Sequence, residues 1–196
     1  VIGNYIIDLS AFVPAINDLL VTPSGHCYVG QFSHDYPAPE APLLTIDLEQ
    51  RASPATEHKL AVANGMVFRP GSRTLIVAES WACLLSAFDV DEKGGLSNYR
   101  IFAKLPPEHF PDGICGDDAG GIWVACVTGK FVRVVEGGEI THRLTLDEGR
   151  FAYACAIGGE DRQTLFLCTG GPYETSVIVQ HPAARIETIR GPFRST

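Results

Sequence analysis

The stretch ANGMVFRPGSRTLIVAES, residues 63–80, sets out the unit from which the chain is built. An Asn-Gly pair precedes a strand of apolar and β-branched residues, a Pro-Gly turn follows, and a second apolar strand closes the unit. The same order returns at Ile16-Asn17-Asp18 ahead of LLVTPSGHCYVG and at Pro111-Asp112-Gly113 ahead of ICGDDAGGIWVAC. A degenerate copy stands at Tyr153-Ala154 ahead of CAIGGEDRQTLFLCT. The copies recur at roughly 40–50 residues, and strands recurring at that period without a helical pattern are the signature of a β-propeller of four-stranded blades. Equivalent positions of successive blades then lie at one height around a central channel. Asn17, Asn64 and Asp112 are therefore expected to converge on the axis.

Working outward, LLVTP and HCYVGQF form a hairpin across Ser24-Gly25, HDYPAPEAP is a Pro-rich loop, and LLTIDLEQ and HKLAVA supply the outer strands of that blade. The next blade runs MVFRP, TLIVAES, LLSAFDVDEKGGL and YRIFAKL. ICGDDAGGIWVAC, KFVRVVEGGEI and HRLTL make the third, and AYACAIGG, TLFLCTG, TSVIVQH and ARIETIR the fourth. The opening NYIIDLSAFVP reads as the tail of an earlier blade. The expected fold is thus all-β: a single domain over residues 1–196 with four to four and a half blades of a longer ring that has lost its N-terminal part.

With 15 Lys and Arg against 23 Asp and Glu, the net charge of −8 provides no basic footprint for nucleic acid or an anionic membrane surface. The longest apolar run, LIVAESWACLLSAF, is broken by Glu79 and Ser80 and falls short of the roughly 18–20 residues of a spanning helix. The start VIGNYIIDLS lacks the basic region of a signal peptide. None of the six cysteines forms a C-x-x-C pair and most lie in apolar strands, so buried free thiols and a cytoplasmic location are expected.

The ordered set ANGMVFRPGSRTLIVAES, AFDVDEKGGLSNYRIFAKL, PDGICGDDAGGIWVAC and GRFAYACAIGGEDRQTLFLCT resembles the SMP-30/gluconolactonase/luciferin-regenerating family of six-bladed propeller lactonases, over about residues 17–190. The resemblance implies that the first blade and part of the second are missing from the front, and that one divalent metal lies in the channel, held by an Asn matching Asn64, an Asp matching Asp112, and a Glu from an upstream segment with no counterpart here. It implies that Asn17 contacts substrate or completes the metal environment, and that Asp35, after GQFSH, falls at an acidic substrate contact. Ala15 stands where some members carry a substrate-binding Arg, which implies a different treatment of substrate. The implied activity is hydrolysis of a sugar lactone or related cyclic ester. The implied partner is a small-molecule lactone; the oligomeric state is left open.

The residue types suit that chemistry. Carboxylates and Asn carbonyls are oxygen donors for Ca²⁺, Mg²⁺ or Mn²⁺, and carboxylate sites also accept Zn²⁺; Ca²⁺ and Zn²⁺ are the leading expectations. A bound cation polarises a lactone carbonyl, and Asp112 is placed to orient or deprotonate water, which makes it the candidate catalytic residue. The competing reading is that Asn and Asp before Gly are turn formers. Asp117 and Asp118 are assigned to an inter-strand turn, Asp89-Val90-Asp91 to an outer hairpin rather than a calcium loop, His26 to the surface, and Trp81 and Trp123 to packing between blades. The alternatives to a lactonase are a non-catalytic binding propeller, an inactive fragment, and a hydrolase of the same fold acting on phosphotriesters or aryl esters.

Overall fold

A computed structural model describes residues 7–33, 35, 40–69, 71–172 and 183–191. Fifteen strands in these residues form four separate antiparallel sheets arranged as propeller blades. Blade 1 contains β1 (Ile16–Val21), β2 (Cys27–Gln31), β3 (Ala41–Ile46) and β4 (Ala52–Leu60). Blade 2 contains β5 (Ala63–Arg69), β6 (Thr74–Glu79), β7 (Leu84–Val90) and β8 (Leu96–Lys104). Blade 3 contains β9 (Pro111–Gly116), β10 (Ile122–Cys126), β11 (Lys130–Val134) and β12 (Ile140–Thr145). Blade 4 contains β13 (Phe151–Gly158), β14 (Thr164–Gly170) and β15 (Arg185–Arg190). Each sheet is an up-and-down meander in sequence order, and the first strands of successive blades, β1, β5, β9 and β13, lie beside one another.

The blades pack face to face, which explains why their middle strands are apolar throughout rather than alternating. Along β6, Leu75 and Val77 face blade 1 and pack with Tyr28, Leu43 and Leu60. Ile76 and Ala78 face blade 3 and pack with Ile122, Val124 and Val132. The period-two pattern is present, but both faces are buried, so every β6 residue leaves water. Blades 3 and 4 close around Trp123, Phe131, Ala152, Leu165 and Leu167. Trp123 thus packs between blades as expected, and Trp81 meets Phe110 edge to face at 5.3 Å where the chain crosses from blade 2 to blade 3.

Three local readings are corrected. Asp47–Gln50, expected to extend a strand, forms a turn: Asp47 Oδ1 accepts the Arg51 N–H at 2.9 Å, Gln50 sits at φ 62°, and β4 begins at Ala52. β4 contains Pro54, which the outermost strand of a sheet tolerates because it needs no donor on its free side. Arg185–Arg190, expected to be the fourth strand of its blade, pairs directly with β14 as the third; TSVIVQH lies outside the described residues. His26, expected at the surface, is buried, with Nδ1 3.2 Å from Ser24 Oγ. The Asp117 turn and the Asp91 hairpin match expectation. Asp117 accepts two N–H bonds from Arg133 and two from the backbone of Ala119 and Gly121, and Asp91 Oδ1 accepts from Lys93 and Gly95.

All six cysteines are free thiols, but only Cys126 and Cys155 are buried; the other four are partly exposed. Among the described residues no helix is long and apolar enough to cross a membrane.

Candidate functional site

Asn17, Asn64 and Asp112 occupy the same place on β1, β5 and β9, and that place is a β-bulge. The register passes from Ile16↔Gln31 to Leu19↔Val29 in blade 1, and from Ala63↔Glu79 to Met66↔Val77 in blade 2. In blade 3 it passes from Pro111↔Cys126 to Ile114↔Val124. Each innermost strand therefore carries one extra residue at the motif, and blade 4 has its own between Ala152 and Ala154. A bulge re-aims a side chain that a regular pleat would turn into a blade face. The Asx residues are thus inside strands, and the turn-former reading fails for all three.

The glycine that follows has a different purpose from the one a turn would give it. Neither Gly65 nor Gly113 adopts positive φ. A Cβ on Gly65 would stand 2.5 Å from the Asp112 carbonyl oxygen, and one on Gly113 would stand 2.8 Å from Ala154 Cα. These glycines let β5 approach β9, and β9 approach β13, until backbones touch. Asn64 is thereby brought next to Asp112.

The side chains meet in a connected cluster. Asn64 hydrogen-bonds the Asp112 carboxylate, and its Nδ2 donates to Ser80 Oγ at 3.2 Å. Ser80 Oγ in turn donates to the Pro111 carbonyl at 2.7 Å, one residue before Asp112. Asn17 Nδ2 donates to the Ala63 carbonyl at 3.3 Å, one residue before Asn64. Both carboxamide nitrogens are engaged with protein, so the carboxamide oxygens are the donor atoms left for a ligand. Asp112 is mostly buried, and loss of hydration pushes its carboxyl up to about 6; the Asn64 hydrogen bond opposes this, and the Asp18 carboxylate adds to it by repulsion.

A half-buried carboxylate that feels the charge of a second carboxylate is an anionic site. No Lys, Arg or His among the described residues forms an ion pair with Asp112. Among the described residues no three His, Cys, Asp or Glu side chains cluster, so a cation here would be held by Asp112 together with carboxamide oxygen. An all-oxygen donor set with one or two carboxylates fits a hard divalent cation. Asp35 lies elsewhere in the picture: it is exposed in the loop after β2, with its backbone N–H donating to Ser33 Oγ at 3.2 Å.

Two participants were not singled out from sequence. Ser80 links Asn64 to the Asp112 strand, and Asp18 raises Asp112. The signal for Ser80 was the polar break Glu79-Ser80 at the end of an otherwise apolar strand. Its neighbour Glu79 serves the blade instead, accepting the Ala61 N–H at 2.9 Å and the Ser86 hydroxyl.

The fold and this cluster define a β-propeller with a candidate cation site built from the first strands of successive blades. The chain belongs to the SMP-30/Gluconolactonase/LRE-like region family, which it matches over residues 12–171. It is 30% identical over 156 residues to regucalcin of Danio rerio, an alignment covering 77% of this chain and 52% of the relative. It is 29% identical over 128 residues to regucalcin of Sus scrofa, covering 63% of the chain and 42% of the relative. The chain spans about half the length of these relatives. Among solved structures it superposes on a luciferin-regenerating enzyme with a TM-score of 0.78 at 17% identity, covering 97% of this chain and 67% of the other. A calcium-binding regucalcin from Agrobacterium tumefaciens gives 0.69 at 19% identity, covering 92% and 63%. A gluconolactonase from Xanthomonas campestris gives 0.62 at 22%, covering 79% and 54%. These structural neighbours are six-bladed propellers, and at such identities the likeness concerns the fold.

Proposed function

We propose that the protein of which this chain forms the described blades is a divalent-metal-dependent lactonase that opens a sugar lactone or related cyclic ester to the hydroxy acid. The observation that carries this reading is the junction of Asn64 and Asp112 at matching bulges, with Asp112 half-buried and without a cationic side-chain partner among the described residues. Family membership supports the reaction class.

Asn64 and Asp112 would hold the cation, Ca²⁺ by the hardness of the donors, with Zn²⁺, Mg²⁺ or Mn²⁺ as the other candidates. When bound, the cation supplies Lewis-acid polarisation of the lactone carbonyl and charge for the developing oxyanion. Asp112 would orient the attacking water and accept its proton, being within reach of a water held at the same cation. Asn17 orients the substrate through its carboxamide oxygen. Asp35, on its exposed loop, is assigned a substrate contact on the strength of the family resemblance.

The test is hydrolysis of gluconolactone by the full-length protein with and without chelator, alongside Asp112→Ala. Loss of turnover in both arms supports the assignment. Wild-type rates in Asp112→Ala would remove Asp112 from the mechanism, and cation binding without turnover of any lactone would make the molecule a binding propeller.

A further inference from the structure

Ser80 joins the two residues of the candidate cation site without itself offering a free oxygen to it. It is buried at the end of β6, where its backbone N–H donates to the Val62 carbonyl at 3.1 Å. That bond fixes the residue beside the start of β5. Its hydroxyl then makes two contacts of opposite sense, accepting from Asn64 Nδ2 at 3.2 Å and donating to Pro111 O at 2.7 Å. A hydroxyl has one proton, and the short bond to a carbonyl, which can only accept, commits it. The lone pairs are left for Asn64, so the group facing Ser80 must be the Asn64 NH₂ and not its carbonyl oxygen.

We propose that Ser80 is a positioning residue of the cation site: it dictates which end of the Asn64 carboxamide faces the cation and ties that carboxamide to the strand carrying Asp112. This inference rests on the cation reading given above. An Asn carboxamide is nearly symmetric in shape, and a flip by half a turn would offer a cation two N–H donors in place of an oxygen. The Pro111 carbonyl, by holding the Ser80 proton, sets the orientation two bonds away. The same bond couples blade 2 to blade 3 at the residue before Asp112, so this hydroxyl adds a side-chain tie to the close backbone approach at Gly65. Partners of this outer kind typically change metal affinity by roughly 10–100-fold when removed.

The experiment is calorimetric titration of the full-length protein with CaCl₂ for wild type, Ser80→Ala, Ser80→Thr, Ser80→Cys and Asp112→Asn, with thermal unfolding of each in chelator. Ser80→Ala should weaken Ca²⁺ by about 10–100-fold. Ser80→Thr, which keeps the hydroxyl, should stay within about threefold of wild type, and Ser80→Cys, which keeps the volume but donates weakly, should fall between. The side-chain NH₂ of Asn64, followed by ¹⁵N NMR without cation, should lose its exchange protection in Ser80→Ala and keep it in Ser80→Thr. If Ser80→Ala fails to fold, Ser80→Cys against Ser80→Thr carries the same comparison. Wild-type Ca²⁺ affinity in Ser80→Ala, with Asp112→Asn impaired, would overturn the role of Ser80 and leave the cation reading standing. Failure of wild type to bind Ca²⁺, Mg²⁺, Mn²⁺ or Zn²⁺ at millimolar concentration would overturn both.

Discussion

β1 and β5 carry the same motif on the same bulge and differ in almost everything around it. β5 lies between two blades: Ala63, Gly65, Met66 and Val67 are buried, and its neighbours fill the clusters on either side. Among the described residues β1 packs against β5 of blade 2, and Ile16, Leu19 and Val21 are each more than half exposed. Where Gly65 and Gly113 let backbones meet, the equivalent residue of β1 is Asp18, whose side chain is exposed. The consequence for the site is direct. Asn64 is held by two side chains, Ser80 and Asp112, whereas the bond that holds Asn17 is a single 3.3 Å contact to a backbone carbonyl. The bulge sets where the motif residue points; the side chains it meets set how firmly it is held.

The largest effect that sharpens this contrast comes from truncating each environment. Met66 on β5 is buried between blades 1 and 2, so Met66→Ala should cost about 2–5 kcal/mol, from lost transfer energy and the cavity left behind. Leu19→Ala, on an exposed β1 position, should stay within about 0.5 kcal/mol. Urea denaturation of the two variants measures the difference. Equal losses would mean that β1 is as tightly enclosed as β5 in solution.

Next in size is the pH dependence of Asp112. Its folded pKa, raised to about 6, lies above the unfolded carboxylate value, so the folded state holds the proton more tightly. The linkage contribution is fully present below about pH 4 and is lost as pH rises through 6, a destabilisation on the order of 2–3 kcal/mol without cation. Asp89, Asp91, Asp117, Asp161 and Glu187 are all lowered by hydrogen bonds or ion pairs and act in the opposite sense, so the total curve mixes both. The difference between wild type and Asp112→Asn isolates the Asp112 part. That difference should change in favour of the variant between pH 4 and pH 7, and a flat difference would mean Asp112 is better solvated than its surroundings imply.

A smaller effect tests the close approach of strands. Gly65→Ala places a methyl 2.5 Å from the Asp112 carbonyl oxygen and 2.6 Å from the Ile114 nitrogen, both backbone atoms that cannot rotate away. The strands must separate, at a cost of about 1–3 kcal/mol, and Asn64 should move away from Asp112 with them. Reduced Ca²⁺ affinity by calorimetry, accompanying the lower midpoint in urea, is the expected outcome; unchanged affinity would show that the pair does not depend on the spacing of β5 and β9.

The repeat, the blade count and the three converging positions were legible in the sequence because a propeller repeats its unit at one period and places equivalent residues alike. What could not be read was how each unit is made locally. Asn-Gly and Asp-Gly have the same letters in a turn and in a bulge, and only the neighbouring strand, distant in sequence, decides that Gly65 is there for space. Ser80 was visible as a polar interruption, but its partner Pro111 lies 31 residues on and cannot be inferred from β6 alone. His26 gave no period to betray its burial. The Asp47 turn was hidden by apolar Leu48 next to it, and Arg185–Arg190 was misplaced because strand order in a blade depends on pairing rather than on count.

The finest distinction concerns Asp18, which replaces glycine in β1 and brings a second carboxylate toward the site. Two causes raise Asp112, and burial is the larger, the Asp18 charge the lesser. Asp18 is exposed, so water screens its field, whereas burial removes hydration that nothing restores. Asp18→Asn should therefore lower the Asp112 titration midpoint, read by ¹³C NMR of the carboxyl in chelator, by only a minor part of the displacement from its ordinary value. A return all the way to the ordinary carboxylate range would reverse the ranking and make the pair of carboxylates, rather than the enclosure of β9 between two blades, the source of the unusual acid. It would also bring Asp18 into the donor set for a cation on equal terms with Asp112. In that case β1 would matter to the site as much as β5.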